Sequence, residues 1–216
     1  MKEIYALGVG HNTPVLIELA EVCGYKVIGL YHYNDSRTGE YDHGFEILGS
    51  FDDLFCKDSL CDMNFLLTMG DSKIRAGLSK KILKKGGNVP TIIHPTAVIS
   101  RFAKVSDVGV YIFPYVIVET DVILNQNITL LTGSIISHNS SIGKNCFIAA
   151  GVIVGAYTYI DEYVFVGQGA LTISGKVAKI GKNAFIAARA LVTKDVPENV
   201  LVKGNPAKAI IDNMVK

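Results

Sequence analysis

Several residue types are scarce or missing in this 216-residue sequence, and each scarcity excludes a class of protein. There is no tryptophan, and the 21 basic residues nearly cancel the 20 acidic ones, leaving a net charge of +1. A chain so close to neutral lacks the broad basic surface that attracts nucleic acid or anionic membranes. No apolar run reaches the roughly 18 residues of a membrane-spanning helix, and the first residues are typical of a strand rather than a signal peptide. We therefore expect neither nucleic acid nor membrane as a partner.

Cysteine is also sparse. The four cysteines show no Cys-x-x-Cys spacing; they are Cys23, Cys56, Cys61 and Cys146. We expect reduced thiols in a cytoplasmic protein. Hydrophobic residues make up 49% of the chain and charged residues 19%, a composition typical of a globular protein.

From about residue 92 to residue 197 the sequence repeats with a period of six. An aliphatic residue recurs every sixth position, and a small or β-branched residue follows four places later. The aliphatic series runs through ten hexads without a break and then resumes: Ile112, Val118, Leu124, Leu130, Ile136, Ile142, Ile148, Val154, Ile160, Val166, then Ile180, Ile186, Val192. Such a repeat predicts a parallel β-helix, in which three hexads close one coil of about 18 residues. A β-sandwich with coincidental spacing is the alternative, and ten hexads in register argue against it.

Two irregularities interrupt the repeat. One extra residue lies between Val105 and Ile112, and two extra residues fall between Val166 and Ile180. The second interruption contains residues 173–178, which we expect to leave one corner of the β-helix as a loop.

The first 88 residues lack the repeat and alternate between strand and helix patterns. Strands are predicted at residues 4–7, 27–31 and 65–69; helices are predicted at residues 13–23, from Ser50 through Phe55, and from Gly70 to about Lys85. This alternation predicts a small parallel sheet of the Rossmann type. Gly8 and Gly10 lie between the first strand and the first helix, where a turn either approaches a phosphate closely or is simply tight.

The predicted fold is thus an N-terminal α/β Rossmann-like domain followed by a parallel β-helix and a short C-terminal helix. We place the sugar- or nucleotide-binding domain at residues 1–88, the β-helix at residues 89–200, and a strand and helix tail at residues 201–216.

His138 is the one histidine inside the regular hexads. It lies two residues after Ile136, an inward position, so its side chain is expected to project from a corner. An imidazole in such a position can serve as a general base, and it can equally be a surface side chain that hydrogen-bonds a turn.

Four motifs together resemble one protein family. They are residues 93–99 (IHPTAVI), residues 137–143 (SHNSSIG), residues 203–208 (KGNPAK), and Gly70-Asp71 followed by Arg75. With the hexads, they resemble the bacterial sugar acyltransferases that have a left-handed β-helix. That family includes sialic acid O-acetyltransferases and the N-acetyltransferases of nucleotide-linked aminosugars.

The resemblance implies an acetyl-CoA-dependent enzyme that acetylates the amino group of a nucleotide-linked aminodeoxysugar for surface glycans, without a metal. It implies that His138 is the general base and that the Ala156 N–H stabilises the oxyanion. It implies a homotrimer with active sites between subunits. The implied CoA-binding residues are Gly155, Ala156, Gly167, Ala187, Ala188, Lys203 and Gly204. The implied substrate-binding residues are Gly8, Gly10, His11, His32, Asp35, Gly70 and Asp71.

The sequence departs from the family near the base. Asn139 stands where the family has an acid, and Glu119, one coil earlier, is expected to lie beside the site as a substitute. Phe147 replaces a second histidine of the family. A γ-type carbonic anhydrase would need three histidines on zinc, and the repeat region holds His138 and only His94 besides.

The N-terminal loop departs as well. The family's paired acids at the end of the second strand are replaced by His32 and Tyr33, with Asp35 slightly later. These departures keep two alternatives open: an O-acetyltransferase of a free sugar such as sialic acid, and a catalytically impaired protein that binds a nucleotide sugar.

Overall fold

The computed structural model describes residues 1–210 and contains two compact units. The first unit holds Met1–Pro95 together with Asp107–Gly109, and the second holds Thr96–Ser106 and the chain from Val110 onward. None of the helices in residues 1–210 has the length and apolar character required to cross a bilayer.

The first unit contains a five-stranded sheet and three α-helices. In chain order its elements are β1 (Lys2–Leu7), α1 (Thr13–Val22), β2 (Tyr25–His32), β3 (Tyr41–Asp42), β4 (Phe45–Ser50), α2 (Phe51–Cys56), β5 (Phe65–Leu67), α3 (Ser72–Lys84) and β6 (Ile92–Ile93), with a 3₁₀ turn at Asp35–Arg37. The sheet has the strand order β3-β4-β2-β1-β5. Strands β1, β2, β4 and β5 pair in parallel, so the predicted α/β alternation is confirmed.

The hairpin of β3 and β4 was not predicted from the sequence. No strand was predicted at β3, because its two residues are too few to show alternation. Strand β4 does alternate: Ile47 is fully buried, and its neighbours Glu46 and Leu48 are exposed. It pairs with β2 on one side and with β3, the edge strand, on the other.

Helix α2 begins with the capping box that its sequence predicts. The Ser50 hydroxyl accepts a hydrogen bond from the Asp53 N–H at 3.0 Å, and Asp53 Oδ2 accepts from the Ser50 main-chain N–H at 2.7 Å. The Ser50 hydroxyl also donates to this oxygen at 2.8 Å. Hydrogen bonds from the Ser50 main chain and then from its side chain favour the ionised carboxylate, so they lower the pKa of Asp53.

The second unit is built from very short strands. They are β7 (Val98–Ile99), β8 (Lys104–Val105), β9 (Tyr111–Ile112), β10 (Ile117–Val118), β11 (Ile123–Leu124), β12 (Thr129–Leu130), β13 (Ile135–Ile136), β14 (Ser141–Ile142), β15 (Phe147–Ile148), β16 (Ile153–Val154), β17 (Tyr159–Ile160), β18 (Phe165–Val166), β19 (Leu171–Thr172), β20 (Lys179–Ile180), β21 (Phe185–Ile186), β22 (Leu191–Val192), β23 (Leu201–Lys203) and β24 (Lys208–Ile210).

These strands form three parallel walls. Wall one is β7, β10, β13, β16, β19 and β22; wall two is β8, β11, β14, β17 and β20; wall three includes β9, β12, β15, β18, β21 and β23. Regular neighbours are 18 residues apart, as for Ile117 and Ile135. The predicted left-handed β-helix is confirmed, with its two irregularities. Ile99 pairs with Val118, one residue beyond the period, and Ile160 pairs with Ile180, two residues beyond it.

The hexad aliphatics form the core of the second unit. In most strands the second residue points inward, and Ile136, Ile142 and Val154 are fully buried. Buried hydroxyls link successive coils: Ser140 Oγ donates to the Gly155 carbonyl at 3.0 Å, and Thr158 Oγ1 donates to the Val177 carbonyl at 3.0 Å. The small polar residue of the hexad therefore supplies hydrogen bonds that an aliphatic residue could not.

The end of the described chain corrects one prediction. The short C-terminal helix predicted within residues 201–216 does not include Lys208–Ile210, because these residues form strand β24. This strand pairs antiparallel with β23, which satisfies its backbone groups in the sheet. The remainder of the predicted helix lies outside the described residues.

Candidate active site

His138 lies at the corner between wall one and wall two. Ile136 ends β13 inside the core, and Ser141 begins β14, so the chain turns within a few residues. Asn139 has a φ of 56°, a left-handed conformation that asparagine tolerates better than most residues. Its N–H donates to the Thr120 carbonyl of the previous coil at 3.0 Å. The stacked coils thus fix the turn that carries the imidazole.

The imidazole contacts the side chain that follows it. His138 Nδ1 lies 2.9 Å from Asn139 Oδ1. Because an amide oxygen only accepts, Nδ1 must carry the proton, and the neutral ring then has its lone pair on Nε2. This is the tautomer that a general base acting through Nε2 requires.

Glu119 is in the expected position but contacts the main chain rather than the ring. Its Oε2 accepts a hydrogen bond from the His138 N–H at 2.8 Å. The carboxylate therefore holds the backbone of the turn, while Asn139 orients the imidazole. Asn139 and Glu119 together thus contact the ring and the main chain of His138, where the family has one acid beside the histidine.

Two residues of this site were not found from the sequence. The Tyr157 ring meets the imidazole edge-on, with centroids 5.3 Å apart and an interplanar angle of 87°. Its N–H donates to the His138 carbonyl at 3.2 Å. The coil period offered a signal, because a residue about 18 positions after a corner side chain lies beside it in the next coil.

The second such residue is Ser174, beside the expected oxyanion donor. Ala156 is buried, and its N–H donates to Ser174 Oγ at 2.9 Å. Ser174 lies one regular coil of 18 residues after Ala156, and the two extra residues follow it, before Ile180. An oxyanion bound by the Ala156 N–H would replace the Ser174 hydroxyl as the acceptor.

Gly155 and Gly167, expected to line a CoA groove, are buried between coils. A Cβ on Gly155 would lie 2.5 Å from the Thr172 carbonyl oxygen, and one on Gly167 would lie 2.5 Å from the Ala188 nitrogen. Contacts that close are not tolerated, so both positions require glycine for coil stacking. Coil stacking is therefore sufficient to explain both glycines, and a bound ligand is not needed to explain them.

The other expected CoA residues lie nearer the surface. Ala187 is half-buried, and Ala188, Lys203 and Gly204 are exposed. The Ala187 N–H donates to the Val202 carbonyl, whereas the Ala188 N–H has no acceptor among the described residues. Ala188 therefore offers an open main-chain donor on a turn of small side chains.

Phe147 forms part of an aromatic ladder on wall three. Its ring stacks on Phe165 at 5.4 Å, and Phe165 stacks on Phe185 at 4.6 Å. A phenylalanine at this position is thus explained by packing along the wall.

A cavity of about 380 Å³ lies in the first unit, at the carboxyl end of the parallel strands. Its lining includes five of the residues expected to bind substrate, namely Gly8, Gly10, His11, His32 and Gly70. The sequence did not indicate the other lining residues: Val9, Asn12, Thr13, Tyr33, Phe51, Thr68, Met69 and Ile74. A crevice outside the carboxyl ends of the strands is the usual place for a ligand in this kind of sheet.

Two of the expected substrate residues do not line this cavity. Asp35 lies in the exposed 3₁₀ turn. Asp71 is the N-cap of α3, where its Oδ1 accepts from the N–H groups of Lys73 and Ile74 at 2.7 and 3.0 Å. Both carboxylates therefore have local structural surroundings instead of a place in the cavity.

The floor of the cavity is fixed by paired hydroxyls. Thr13 Oγ1 accepts from the Gly10 N–H at 3.0 Å and lies 3.0 Å from Thr68 Oγ1. Thr68 Oγ1 also lies 3.0 Å from the Leu7 carbonyl. These contacts hold the turn after β1 against the end of β5, and they occupy both hydroxyls.

The fold and the corner histidine define a hexapeptide-repeat acyltransferase, and comparison with known proteins agrees. No family model matches the chain. GDP-perosamine N-acetyltransferase of Escherichia coli O157:H7 is 29% identical over 204 residues, covering 92% of this chain and 90% of the relative. The chain is thus similar, over nearly its whole length, to bacterial left-handed β-helix sugar acetyltransferases.

Solved structures show the same architecture. A mutant of GDP-perosamine N-acetyltransferase from Caulobacter crescentus with a histidine replaced by alanine, in complex with CoA and GDP-perosamine, is 25% identical. Its TM-score is 0.88, with 97% of each chain covered. The acetyltransferase domain of PglB from Neisseria gonorrhoeae, in complex with acetyl coenzyme A, is 23% identical with a TM-score of 0.85, covering 97% of this chain and 99% of that one.

Proposed function

We propose that this chain transfers the acetyl group of acetyl-CoA to the amino group of a nucleotide-linked aminodeoxysugar. The observation that carries the proposal is the ring geometry of His138. Asn139 Oδ1 holds the proton on Nδ1, which leaves Nε2 with a lone pair at an accessible corner. The relative from Escherichia coli and the complex from Caulobacter crescentus support the substrate class, because both are named for GDP-perosamine.

The residues of the corner divide the chemistry between them. The thioester supplies an activated acetyl group. His138 Nε2 removes a proton from the acceptor nitrogen as that nitrogen attacks the carbonyl carbon, and the C–S bond then breaks to release CoA. Asn139 orients the resulting imidazolium through Nδ1. In this proposal the Ala156 N–H exchanges its Ser174 acceptor for the carbonyl oxygen of the acetyl group and stabilises the charge on that oxygen.

The turn between β21 of wall three and β22 of wall one suits a pantetheine chain. Ala187 and Ala188 have small side chains, and the open Ala188 N–H can donate to an amide carbonyl of CoA. The exposed Lys203, in strand β23, supplies a positive charge for the phosphates. These residues are the part of the proposed CoA site that is accessible in the described chain.

We extend the proposal to a homotrimer whose active sites lie between subunits. The outward residues of wall one form an unbroken aliphatic row: Val98, Ile117, Ile135, Ile153, Leu171 and Leu191. Val98 is 62% exposed, and Ile117, Ile153 and Leu171 are each 36 to 38% exposed. A contiguous apolar strip of this kind marks an association surface, and threefold symmetry closes such an assembly.

The proposed setting is the cytoplasmic synthesis of surface glycans. None of the four cysteines, all within the described residues, forms a disulfide, which fits a reducing compartment. The acetylated product would be an activated sugar ready for a glycosyltransferase.

The test is an assay of acetyl transfer from acetyl-CoA to GDP-, UDP- and dTDP-linked aminodeoxysugars. The release of the CoA thiol measures the rate, and mass spectrometry identifies the product. We expect His138→Ala to lower kcat by about 10²–10⁴-fold, with CoA affinity unchanged by calorimetry. His43→Asn, at an exposed turn of the first unit, is the matched control and should retain full activity. A folded His138→Ala variant that acetylates at the wild-type rate would refute the assignment.

A further inference from the structure

We propose that the cavity of the first unit selects a pyrimidine nucleotide, carrying uracil or thymine, over a guanine nucleotide, and that His32 makes the selection. This inference rests on the proposed function, because it names the nucleotide to which the acceptor sugar is attached. It also distinguishes this chain from the relatives named for GDP-perosamine.

His32 presents a hydrogen-bond donor to the cavity. Its Nδ1 lies 3.1 Å from the Asn34 nitrogen, which can only donate, and 3.4 Å from the Asn34 carbonyl oxygen. The shorter contact makes Nδ1 the acceptor, which puts the proton of the neutral ring on Nε2. The side chain is only 5% exposed yet lines the cavity, whereas Asn34 does not. Nε2 has no partner among the described residues and is therefore the polar atom that His32 offers to a ligand.

Tyr33 supplies an aromatic surface beside this donor. Its ring lies 4.2 Å from the His32 ring, with an interplanar angle of 40°, and the side chain is 77% exposed. An exposed ring at the rim of a cavity can stack on a nucleobase, and such stacking tolerates every base. Tyr33 thus explains affinity for a base, and the choice of base depends on the polar groups around it.

The polar groups of the cavity suit a base that mainly accepts hydrogen bonds. No carboxylate lies among its lining residues in the described chain. The hydroxyls of Thr13 and Thr68 are already paired with each other and with main-chain groups. Asn12, whose side chain makes no capping bond to α1, remains as an amide that can accept one N–H.

Guanine and the pyrimidines place opposite demands on such a cavity. Guanine carries adjacent N–H donors on its pairing edge, and these need acceptors such as carboxylates. Uracil and thymine carry one N–H between two carbonyl oxygens. His32 Nε2–H can donate to a carbonyl, and Asn12 can accept the N–H, whereas guanine would leave buried donors unpaired, which weakens binding.

Calorimetry on the full chain with UDP, dTDP and GDP tests this inference. We expect the pyrimidine nucleotides to bind about tenfold more tightly than GDP. UDP and dTDP differ in both the 2′-hydroxyl and the C5-methyl group, and tight binding of either one supports the inference. GDP affinity equal to or above that of both would overturn it.

Two variants then test the residues. His32→Phe keeps a ring of similar size and removes the donor, so the pyrimidine preference should disappear, with thermal unfolding confirming the fold. Tyr33→Ala should weaken all nucleotides by a similar factor of about ten. A preference that survives His32→Phe would overturn the role of His32.

The same samples separate this inference from the proposed function. If no nucleotide binds but a free aminosugar is acetylated, the inference fails and the transferase activity stands. If the pyrimidine preference appears without acetyl transfer to any aminosugar, the inference stands and the proposed function fails.

Discussion

Replacing Asn139 by aspartate should make this enzyme faster. Asn139 Oδ1 lies 2.9 Å from His138 Nδ1, and aspartate places a charged oxygen at the same distance. Both residues tolerate the left-handed φ of 56° at this position, so the turn should not change. The perturbation therefore adds one negative charge beside the imidazole and little else.

The magnitude follows from the difference between two kinds of hydrogen bond. A neutral hydrogen bond contributes about 1 kcal/mol, and a charge-assisted one is roughly twice as strong. The additional 1 kcal/mol or so stabilises the imidazolium that forms as His138 takes the proton. Because Asn139 is exposed, solvent reduces the gain, and we expect kcat to rise about three- to tenfold. The carboxylate also favours the charged ring, so the acid limb of the pH–rate profile should move to higher pH.

The assay is the steady-state release of CoA thiol across the pH range. Asn139→Gly keeps the left-handed turn and removes the acceptor, so its kcat should fall about fivefold. Asn199→Asp is the control for charge alone, because Asn199 is an exposed asparagine with a φ of 59° in a later coil. Wild-type kcat in both Asn139 variants, or equal acceleration by Asn199→Asp, would refute this role for Asn139.

Two further predictions concern stability and assembly. Ser50→Ala removes the cap of α2 and should lower the free energy of unfolding at neutral pH by about 1 kcal/mol, measured by denaturation followed through the helical circular dichroism. Because folding lowers the pKa of Asp53, this carboxylate stabilises the fold above its unfolded-state pKa, and the stabilisation is lost as pH falls through its folded-state pKa. The difference in free energy of unfolding between wild type and Ser50→Ala should therefore shrink toward acid pH. A difference that stays constant with pH would contradict the capping argument. Ile153→Lys on wall one should give monomers in sedimentation experiments, whereas Ile123→Lys on wall two, at 44% exposure, should remain trimeric; a trimeric Ile153→Lys variant would place the interface elsewhere.

The β-helix could be predicted from the sequence because its periodicity is one-dimensional. Each inward position, such as Ile136 or Ile142, requires a buried aliphatic residue at the same place in the hexad. The number of coils, the three walls and both irregularities therefore follow from spacing alone. Strand β3 gave no comparable signal, because two residues show no period. Strand β24 was mistaken for the start of a helix, because its pairing with β23 depends on a turn that composition does not reveal.

For the candidate active site, the sequence predicted where His138 lies but not which side chains contact it. Spacing placed His138 at a corner, but it could not show which side chain would reach the ring. Asn139 reaches Nδ1, and Glu119 reaches the main chain, a division that depends on side-chain torsions. Ser174 lies 18 residues after Ala156, as the coil period requires, but spacing could not show that its hydroxyl accepts the Ala156 N–H. The role of His32 likewise depends on a hydrogen bond from Asn34 that only coordinates reveal.

The reversal of chain direction at β24 bears on how this protein avoids forming fibres. A stack of parallel coils presents, at its open end, a row of unpaired backbone groups that another chain could extend, as in amyloid growth. In wall three that row ends in an antiparallel strand whose first residue, Lys208, is exposed and charged. A second molecule approaching end to end meets the wrong hydrogen-bond pattern and a positive charge. Strand β24 thus covers the edge of β23 that a further parallel strand would otherwise extend.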